Sequence, residues 1–320
     1  MEIKRVLRAG FRFLTSSDYR FSYLIYKGFY KSMPDIEFLK KKYRIRMGKE
    51  LNLENPRTFN EKLQWLKLYN RRPEYTLLVD KYRVREFVSQ RIGPEHLIPL
   101  LGVWDSPDQI DFSALPRQFV LKCNHNSGLG MCICRDKSRL NIRKVRAGLR
   151  RGLKEDNFYE GREWPYKNVE RKIICEKYME DTGENRCNTA RPEGLTDYKI
   201  FCFHGQPRLT MIATDRFTDH PAYNYFDNEF HWLPIDWGSP RSETLTVRKP
   251  EKFAEMLDIA GKLSEGIPFV RVDLYLVDNQ IYFGEMTFFD GGGMDRVSPE
   301  SWDETLGSWI TLPPKTVSTD

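Results

Sequence analysis

The sequence contains no long apolar run. No stretch of about 18 consecutive apolar residues, the length that a membrane-spanning helix requires, occurs among its 320 residues. The first fourteen residues are basic but have neither an extended apolar core nor a small-residue cleavage site, so they are not typical of a secretory signal peptide. We therefore expect a cytoplasmic protein, with the inner face of the membrane as the alternative location.

Cysteine is also scarce, with six residues in the chain. Cys132, Cys134, Cys175 and Cys202 lie in strand-like apolar runs, where we expect small buried hydrophobes of a reducing compartment rather than disulfides. The Cys132-x-Cys134 pair has no matching second pair, so no zinc site is predicted. The sequence also has no Walker loop and no known nucleic-acid-binding pattern. We expect no nucleic-acid partner.

Charge is distributed unevenly along the chain. Residues 1–91 contain 10 Lys and 12 Arg against 3 Asp and 7 Glu, a net charge of +12, whereas the whole chain carries +6. A basic first third suits an anionic partner such as a membrane surface, an acidic glycan or an acidic substrate. A solvated helical face explains the same charges equally well, so both interpretations remain open.

The first fifty residues predict helices. Within residues 1–15, apolar and basic side chains fall on opposite sides of a helix, with Ile3, Val6, Leu7, Phe11 and Leu14 on one and Lys4, Arg5, Arg8 and Arg12 on the other. A helix of this kind either contacts a membrane surface or packs on the body of the protein. Thr58 and Glu61 then predict a capping box for a helix through Leu68. Further helices are predicted over residues 80–91 and 252–265.

Residues 118–134 predict a strand, a loop of small polar residues and a second strand. Lys122 ends the first strand, and the loop runs from Asn126 through Ser127 and Gly128 to Gly130. A cation beside such a loop suits a phosphate group. We interpret the segment as a hairpin lid over a nucleotide, although small-residue hairpins are also common without a ligand.

A second lysine is predicted to lie on a strand at Lys199, facing away from its neighbours Tyr198 and Ile200. Lys122 and Lys199 could therefore converge on one anion. Between them, residues 172–179 form a strand that ends at Glu176-Lys177-Tyr178-Met179. A polar segment from Glu180 to Thr196 follows and is expected to be a mobile loop.

The most informative stretch is a predicted hairpin over residues 269–288, with Asp278-Asn279 at its turn. Alternation of side chains places Arg271, Asp273 and Tyr275 on one face of the first strand. On the second strand it places Phe283, Glu285 and Thr287 together, opposite Gly284, Met286 and Phe288. Asp273 and Glu285 should then lie side by side, with Arg271 and Thr287 next to them.

Paired carboxylates on an otherwise apolar sheet face suit Mg²⁺, which prefers oxygen ligands. The alternative is a cross-strand pair between arginine and carboxylate at the rim of a sheet. The run Asp290-Gly291-Gly292-Gly293 follows the hairpin, and glycines allow backbone N–H groups to approach an anion closely. Together these features predict a metal site and a phosphate site.

Taken in order, these pieces resemble the ATP-grasp superfamily. Five segments are similar in sequence to the teichuronopeptide-biosynthesis-like (TupA-like) branch of this superfamily. They are F-N-E-K-L-Q-W-L-K (59–67), D-K-Y-x-V-R-E-F-V (80–88), L-P-x-x-F-V-L-K-x-N-H-x-S-G (115–128), D-Y-K-I-F-C-F-H-G (197–205) and G-E-M-T-F-F (284–289). The resemblance covers roughly residues 55–310. It implies an α+β, ATP-grasp fold in which the nucleotide lies between two α+β subdomains with antiparallel sheets.

The resemblance also implies roles for individual residues. ATP and Mg²⁺ would be bound, with Arg271 and Lys199 as the catalytic side chains. The nucleotide would contact the set Lys122, Asn126, Ser127, Gly128, Gly130, Glu176, Lys177, Tyr178, Met179, Asp197 and Lys199. Asp273, Glu285 and Thr287 would hold the metal. Thr287 departs from the superfamily pattern, which has Asn there, and a hydroxyl is a weaker ligand. Glu184 is a candidate for contact with the ribose.

We expect four regions: a basic helical segment (1–54), a subdomain preceding the nucleotide site (55–115), a lid subdomain (116–180) and a catalytic subdomain (181–320). The function implied is an ATP-dependent carboxylate–amine ligase that forms an amide through an acyl phosphate. Its substrates would be an amino acid or peptide and a uronic-acid-containing surface polysaccharide or its precursor. Alternatives are a glycosyltransferase using a sugar nucleotide, a sugar kinase, and a non-catalytic anion-binding protein. Asp273→Asn and Glu285→Gln are expected to abolish turnover without affecting the fold. The oligomeric state is not predicted.

Overall fold

Two antiparallel sheets face a common cavity in the computed structural model, which describes residues 11–181, 195–214, 222–238 and 247–315. The strands are β1 (Leu100–Trp104), β2 (Phe119–Cys123), β3 (Cys132–Cys134), β4 (Ile173–Lys177), β5 (Asp197–Phe203), β6 (Gln206–Thr214), β7 (Ala222–Phe226), β8 (Trp232–Leu233), β9 (Asp236–Trp237), β10 (Phe269–Val277), β11 (Gln280–Thr287) and β12 (Val297–Ser298). One sheet has four strands in the order β1-β4-β2-β3, and the other has six in the order β11-β10-β5-β6-β7-β8. A short pair joins β9 to β12.

Helices surround these sheets and form a separate layer at the beginning of the chain. They are α1 (Ser17–Tyr26), α2 (Asp35–Met47), α3 (Phe59–Tyr69), α4 (Glu74–Val79), α5 (Val84–Ile92), α6 (Ile142–Gly152), α7 (Asn157–Gly161), α8 (Phe253–Ser264) and α9 (Ser301–Ser308). Residues 11–15 are also helical. Among the described residues, no helix combines the length and the apolar character needed to cross a bilayer.

The capping box predicted for α3 is confirmed. The Thr58 hydroxyl accepts a hydrogen bond from the Glu61 N–H at 3.3 Å, and the Glu61 carboxylate accepts one from the Thr58 N–H at 3.2 Å.

The prediction for the next long helix was wrong at its start, because α5 begins at Val84 rather than at residue 80. Asp80 is extended instead, and its carboxylate accepts hydrogen bonds from the Tyr82 N–H and from the Asn124 side chain. This link ties α5 to the loop after β2.

Three apolar cores hold the layers together. The largest lies between the six-stranded sheet and α8, where Phe253, Met256 and Leu263 are buried and Leu257 is only partly buried. A second lies under the four-stranded sheet against Leu149 of α6. The third, around Phe38, is built by α1 and α2. The sheets are therefore fixed by separate cores.

Polar contacts also bind the helix α3 to the end of the chain. The Asn60 side chain and N–H donate to Asp303 of α9 at 3.1 and 3.0 Å. Gln64 and Lys67 both donate to the carbonyl of Gly292, at 3.0 and 2.7 Å, in the glycine turn that follows β11. All three α3 side chains are buried. The helix thus positions the turn directly after the hairpin.

The described cysteines are unpaired, as predicted. Cys134, Cys175 and Cys202 are buried, and Cys132 is half-buried. Burial raises the pKa of the Cys175 thiol to about 12. These thiols therefore pack as small apolar groups. No cysteine belongs to a metal-ligand cluster among the residues that the structure describes.

Candidate functional site

The hairpin of β10 and β11 forms the floor of the site. Its register pairs Arg271 with Thr287 and Asp273 with Glu285, as the alternation of side chains predicted. The prediction was wrong for Phe283, which is buried in the core opposite Leu274 rather than sharing a face with Glu285. The reason is a β-bulge, because Gly284 is an extra residue between the two pairs and reverses the alternation there.

Glycine is required at the bulge. A Cβ atom on Gly284 would lie 2.9 Å from the carbonyl oxygen of Asp273 and 3.1 Å from the Tyr275 ring. Both distances are shorter than an ordinary van der Waals contact. The bulge therefore brings the backbone of β11 directly against the residue that carries the buried carboxylate.

Asp273 is surrounded by cations. Both of its oxygens accept hydrogen bonds from Arg271, Nε to Oδ1 at 2.7 Å and Nη2 to Oδ2 at 2.8 Å. Oδ2 also accepts from Lys199 of β5, which forms a second ion pair with Asp197 at 2.8 Å. Arg271 in turn contacts Asp290 and donates to the Thr287 hydroxyl at 3.1 Å. The result is a buried network in which each charge has a partner of opposite sign.

These pairings control protonation. Burial alone would lower the pKa of Lys199, but Asp273 and Asp197 raise it above its usual value. Burial would raise the pKa of Glu285, but Lys81 and Lys199 hold it well below the usual range. Lys81 lies 3.0 Å from Glu285 Oε2 and also donates to the Asn126 carbonyl at 3.0 Å. Both groups are therefore charged at neutral pH.

The four-stranded sheet contributes a second ion pair. Lys122 of β2 lies 2.6 Å from Glu176 of β4, and Arg85 of α5 lies 3.4 Å from the same carboxylate. Glu176 is buried, while Lys122 is partly exposed to the cavity. Lys177, the last residue of β4, lines the cavity together with the following residues Tyr178 and Met179.

The loop after β2 is held by its own side chains. Asn126 donates to the carbonyls of Leu129 at 3.0 Å and Gly152 at 3.2 Å, and its side-chain oxygen accepts from the Gly128 N–H at 3.1 Å. Gly130 does not line the cavity. It packs instead against α6, where a Cβ atom would meet the Gly148 carbonyl at 2.4 Å.

One cavity of about 1050 Å³ connects these groups. Ligand pockets usually measure about 300–1000 Å³, so this one is large enough for more than one small ligand. It brings together the predicted residues Lys122, Asn126, Ser127, Gly128, Glu176, Lys177, Tyr178, Met179, Asp197, Lys199, Arg271, Asp273, Glu285 and Thr287. Of the predicted set only Gly130 lies elsewhere. Glu184, most of the polar segment 180–196 and residues 1–10 fall outside the described residues.

Sequence reasoning assigned no role to Lys81 and Arg85, and it noted Asp290 only as the start of the glycine run. Lys81, Arg85 and Asp290 each form an ion pair with a predicted residue. Lys81 and Arg85 stand in the motif at 80–88, and Asp290 directly precedes the glycine run. The available signal was a charged residue within a recognised motif, but no spacing rule connects residues that far apart in the chain.

A second part of the cavity, which we call its far end, contains side chains that were not predicted. Lys42, Glu160, Glu163 and Tyr166 line it beside Gly291 and Gly292 of the glycine run, and a Cβ atom on Gly292 would lie 3.7 Å from Glu163 Oε1. Lys67 lies behind this wall and donates to the carbonyls of Gly161 and Gly292, at 3.0 and 2.7 Å. Burial lowers the pKa of Lys67 to about 7, and burial raises the pKa of Glu163. This end therefore combines a weakly basic amine with a weakly acidic carboxyl group.

Comparison with known proteins identifies one family. A family model described as TupA-like ATPgrasp matches residues 61–311. No curated protein sequence matches the chain.

Solved structures give weaker likenesses. The chain is similar to a D-alanine–D-alanine ligase from Bacillus anthracis complexed with ATP, at 14% identity and a TM-score of 0.35, over 66% of this chain and 54% of that one. It is similar to the ATP-grasp ligase PsnB complexed with a phosphomimetic variant of its minimal precursor, Mg and ADP, at 10% identity and 0.39, over 78% and 66%. A Helicobacter pylori D-alanine–D-alanine ligase gives 12% identity and 0.39, over 79% and 69%. The chain thus spans little more than half of the first of these proteins. With TM-scores this low, the family match alone identifies the chain.

Proposed function

The chain belongs to the TupA-like ATP-grasp family, and on that premise we propose that it is an ATP- and Mg²⁺-dependent carboxylate–amine ligase. The observation that carries the proposal is the single cavity in which Lys122, Lys199, Arg271, Asp273 and Glu285 all lie. Phosphoryl transfer depends on positioning and on neutralising charge. Two lysines, an arginine and paired carboxylates in one cavity are the groups that this chemistry requires.

In this proposal the nucleotide lies between the two sheets. Lys122 would exchange its ion pair with Glu176 for one with a phosphate oxygen, and Glu176 would then accept a hydrogen bond from the adenine amino group. The backbone of Lys177, the last residue of β4, and of Met179 would bind the adenine edge. Ser127 and Gly128 would close over the phosphates from the loop that Asn126 holds in place.

The metal ligands would be Asp273, Glu285 and Thr287. These residues offer oxygen donors at neighbouring register positions on two paired strands, which suits the preference of Mg²⁺. Glu285 is more accessible than Asp273, because its side chain is 35% exposed whereas that of Asp273 is 2% exposed. When bound there, Mg²⁺ would neutralise charge on the transferring phosphoryl group.

The reaction would take place in two steps. An oxygen of the substrate carboxylate attacks the γ-phosphorus of ATP, and the bond to the β-phosphate oxygen breaks, giving an acyl phosphate and ADP. The amine then attacks the acyl carbon, inorganic phosphate leaves, and the nitrogen loses a proton. Arg271 would stabilise the oxyanion that forms on the carbonyl. Glu163, which faces the far end of the same cavity, would accept the proton.

For the substrates we propose a uronic-acid-containing polysaccharide, or its precursor, and an amino acid or peptide. The support is the family resemblance together with the net charge of +12 on residues 1–91. An acidic glycan is attracted to such a surface. The far end of the cavity would receive the reacting carboxylate and amine.

Thermal unfolding in the presence of nucleotides tests the nucleotide site. The protein would be titrated with ATP and with UDP-sugars, each with and without Mg²⁺. A ligand at a hundredfold excess over its dissociation constant stabilises the native state by about 2.7 kcal/mol. We expect Mg²⁺-dependent stabilisation by ATP that is largely lost in Lys122→Met. It should be retained in Lys154→Met, which removes an exposed lysine outside the cavity.

The same titration separates the alternatives. Stabilisation by UDP-sugars but not by ATP would overturn the ligase proposal in favour of a glycosyltransferase. Stabilisation by ATP, followed by isolation of a stable phosphorylated sugar rather than an amide, would indicate a kinase. Release of ADP that requires both a carboxylate and an amine would support the ligase.

A further inference from the structure

The first helical segments expose an unusual amount of apolar surface. Among the described large hydrophobic side chains, the four most exposed are Phe11 (68%), Leu14 (77%), Tyr26 (84%) and Phe29 (71%). All four lie within residues 11–29. We call the surface formed by these four residues and Tyr23 the N-terminal apolar surface.

The two helical segments that carry most of these side chains are in contact. Phe11 and Leu14 are three residues apart in the helical segment 11–15, and Tyr23 and Tyr26 are three residues apart on α1, so each pair shares a helix face. The rings of Phe13 and Tyr23 meet edge to face with centroids 5.5 Å apart, which joins the two segments.

The surface is not the side by which α1 packs on the protein. That contact is made by Phe21, which is 3% exposed and lies against Tyr30 and Phe38, with ring centroids 4.7 and 5.8 Å away. One side of α1 is therefore buried against the protein, whereas the other side is apolar and exposed to solvent. In particular, Phe11 and Leu14 do not pack on the body of the protein.

Basic residues accompany the exposed rings. Lys27 lies over Tyr23 and Tyr26, with its Nζ 5.6 and 5.9 Å from the ring centroids, and Arg12 lies over Tyr19 at 4.7 Å. Residues 11–33 contain Arg12, Arg20, Lys27 and Lys31 but only one acidic residue, Asp18. Asp18 is already paired with Arg46 at 3.2 Å. Positively charged side chains thus lie beside the exposed apolar ones.

This combination determines which partner fits. A second copy of the chain would place two sets of like charges against each other. An anionic bilayer offers both an apolar interior for the rings and negative headgroups for the lysines and arginines. Aromatic side chains with basic neighbours are typical of membrane interfaces. We propose that the N-terminal apolar surface docks the protein on an anionic lipid bilayer.

The surface lies next to the far end of the cavity. Lys31, two residues after Phe29, places its Nζ 5.0 Å from the ring centroid of Tyr159. The neighbouring residue Glu160 lines the cavity and accepts a hydrogen bond from Lys42 of α2 at 2.8 Å. A docked protein would hold this end of the cavity close to the bilayer. The proposal does not depend on the ligase activity, since it concerns a surface outside the nucleotide site.

Co-sedimentation of the full chain with vesicles tests docking. The probes are vesicles of phosphatidylcholine alone and of phosphatidylcholine mixed with phosphatidylglycerol. We expect binding to the mixed vesicles only. A variant carrying Phe11→Ser, Leu14→Ser, Tyr26→Ser and Phe29→Ser should bind at least about tenfold more weakly, because it loses the apolar contact area. Its melting temperature should not change, since all four side chains are exposed.

Two further variants sharpen the test. Lys27→Gln with Lys31→Gln should weaken binding by about fivefold for each charge. The control, Leu101→Ser with Trp232→Ser, removes exposed apolar residues elsewhere and should bind like the unmodified chain. Equal binding of the serine variant and the unmodified chain, or no binding to mixed vesicles, would overturn the proposal. So would a dimer, seen by sedimentation velocity without vesicles, that the serine variant abolishes.

Discussion

Asp273 and Glu285 are expected to differ sharply in what they contribute to stability, although both are assigned to the metal. Asp273 is 1% exposed and accepts from Arg271 Nε on one oxygen and from Arg271 Nη2 and Lys199 on the other. In Asp273→Asn the side-chain NH₂ group must face one of these donors. Breaking a buried ion pair costs about 3–5 kcal/mol. Since Lys199 keeps Asp197 and Arg271 keeps Asp290, we expect about 3 kcal/mol.

Glu285→Gln should be much milder. The Glu285 side chain is 35% exposed; Lys81 is its nearest cation at 3.0 Å, Arg271 lies 3.7 Å away, and Lys199 also favours its charged form. The amide oxygen of Gln can still accept from Lys81. Partly exposed pairs contribute up to about 1 kcal/mol, and that is the loss we expect. With a shift of roughly 2 °C for each kcal/mol, the melting temperature should fall by about 6 °C in Asp273→Asn and by about 2 °C in Glu285→Gln.

Thermal unfolding without nucleotide measures both variants, and the same samples with ATP and Mg²⁺ measure the site. Neither variant should gain stability from Mg²⁺ and ATP. Asp273→Asn would thus lose activity partly because its folded state is less stable. This differs from the expectation from sequence that the substitution leaves the fold intact. If Asp273→Asn has the same melting temperature as the unmodified protein, or if the melting temperature of Glu285→Gln falls as far as that of Asp273→Asn, the ion pairs of Asp273 do not stabilise the folded chain.

Three further outcomes are expected. Gly284→Ala should abolish stabilisation by Mg²⁺ and ATP in thermal unfolding, because its Cβ would displace the Asp273 carbonyl; Gly148→Ala on α6, whose Cβ would make only ordinary contacts at 3.7 and 3.9 Å, is the control, and an unaffected Gly284→Ala would contradict the role of the bulge. Burial lowers the pKa of His125 to about 4, below its usual 6.5. The unfolded chain therefore binds the extra proton first, and stability should fall by roughly 2 kcal/mol from pH 6.5 to pH 4; urea unfolding of His125→Gln should show a smaller fall, and an equal fall would exclude His125 as its source. Arg162→Met should expose residues 17–47 to limited proteolysis, because Arg162 donates to the carbonyls of Tyr30 and Met33 and pairs with Asp35 at 3.0 Å, whereas exposed Lys167→Met should not.

The pairing of Asp273 with Glu285 was predicted correctly, but the local rules alone do not produce it. A two-residue turn at Asp278-Asn279 pairs Val277 with Gln280 and Leu274 with Phe283, and without a bulge it would place Asp273 opposite Gly284. The bulge at Gly284 shifts the register by one residue and brings Glu285 opposite Asp273. The turn therefore explains the position of Phe283, whereas the position of Glu285 depends on the bulge, which no local rule predicts.

The cations around the carboxylates were only partly predictable. Lys199 was found because it interrupts an apolar strand at a position that faces away from the core. Lys81 lies in the turn before α5 and Arg85 lies on α5, where lysine and arginine are ordinarily solvated, and nothing local relates them to Glu285 or Glu176. Their position depends on Asp80, which ties the start of that region to Asn124. Contacts of this kind are decided by tertiary packing rather than by pattern.

The hydrogen bonds from α3 to Asp303 and Gly292 have a consequence for folding during synthesis of the chain. Asn60, Gln64 and Lys67 are made early, but their partners Asp303 and Gly292 come 225 to 243 residues later. At about 5–20 residues per second, a ribosome adds that length in roughly 10–50 s. Throughout that time the polar face of α3 has only water or non-native partners, and the amphipathic helix is open to chaperones. The site can be completed only after the last helix has left the ribosome.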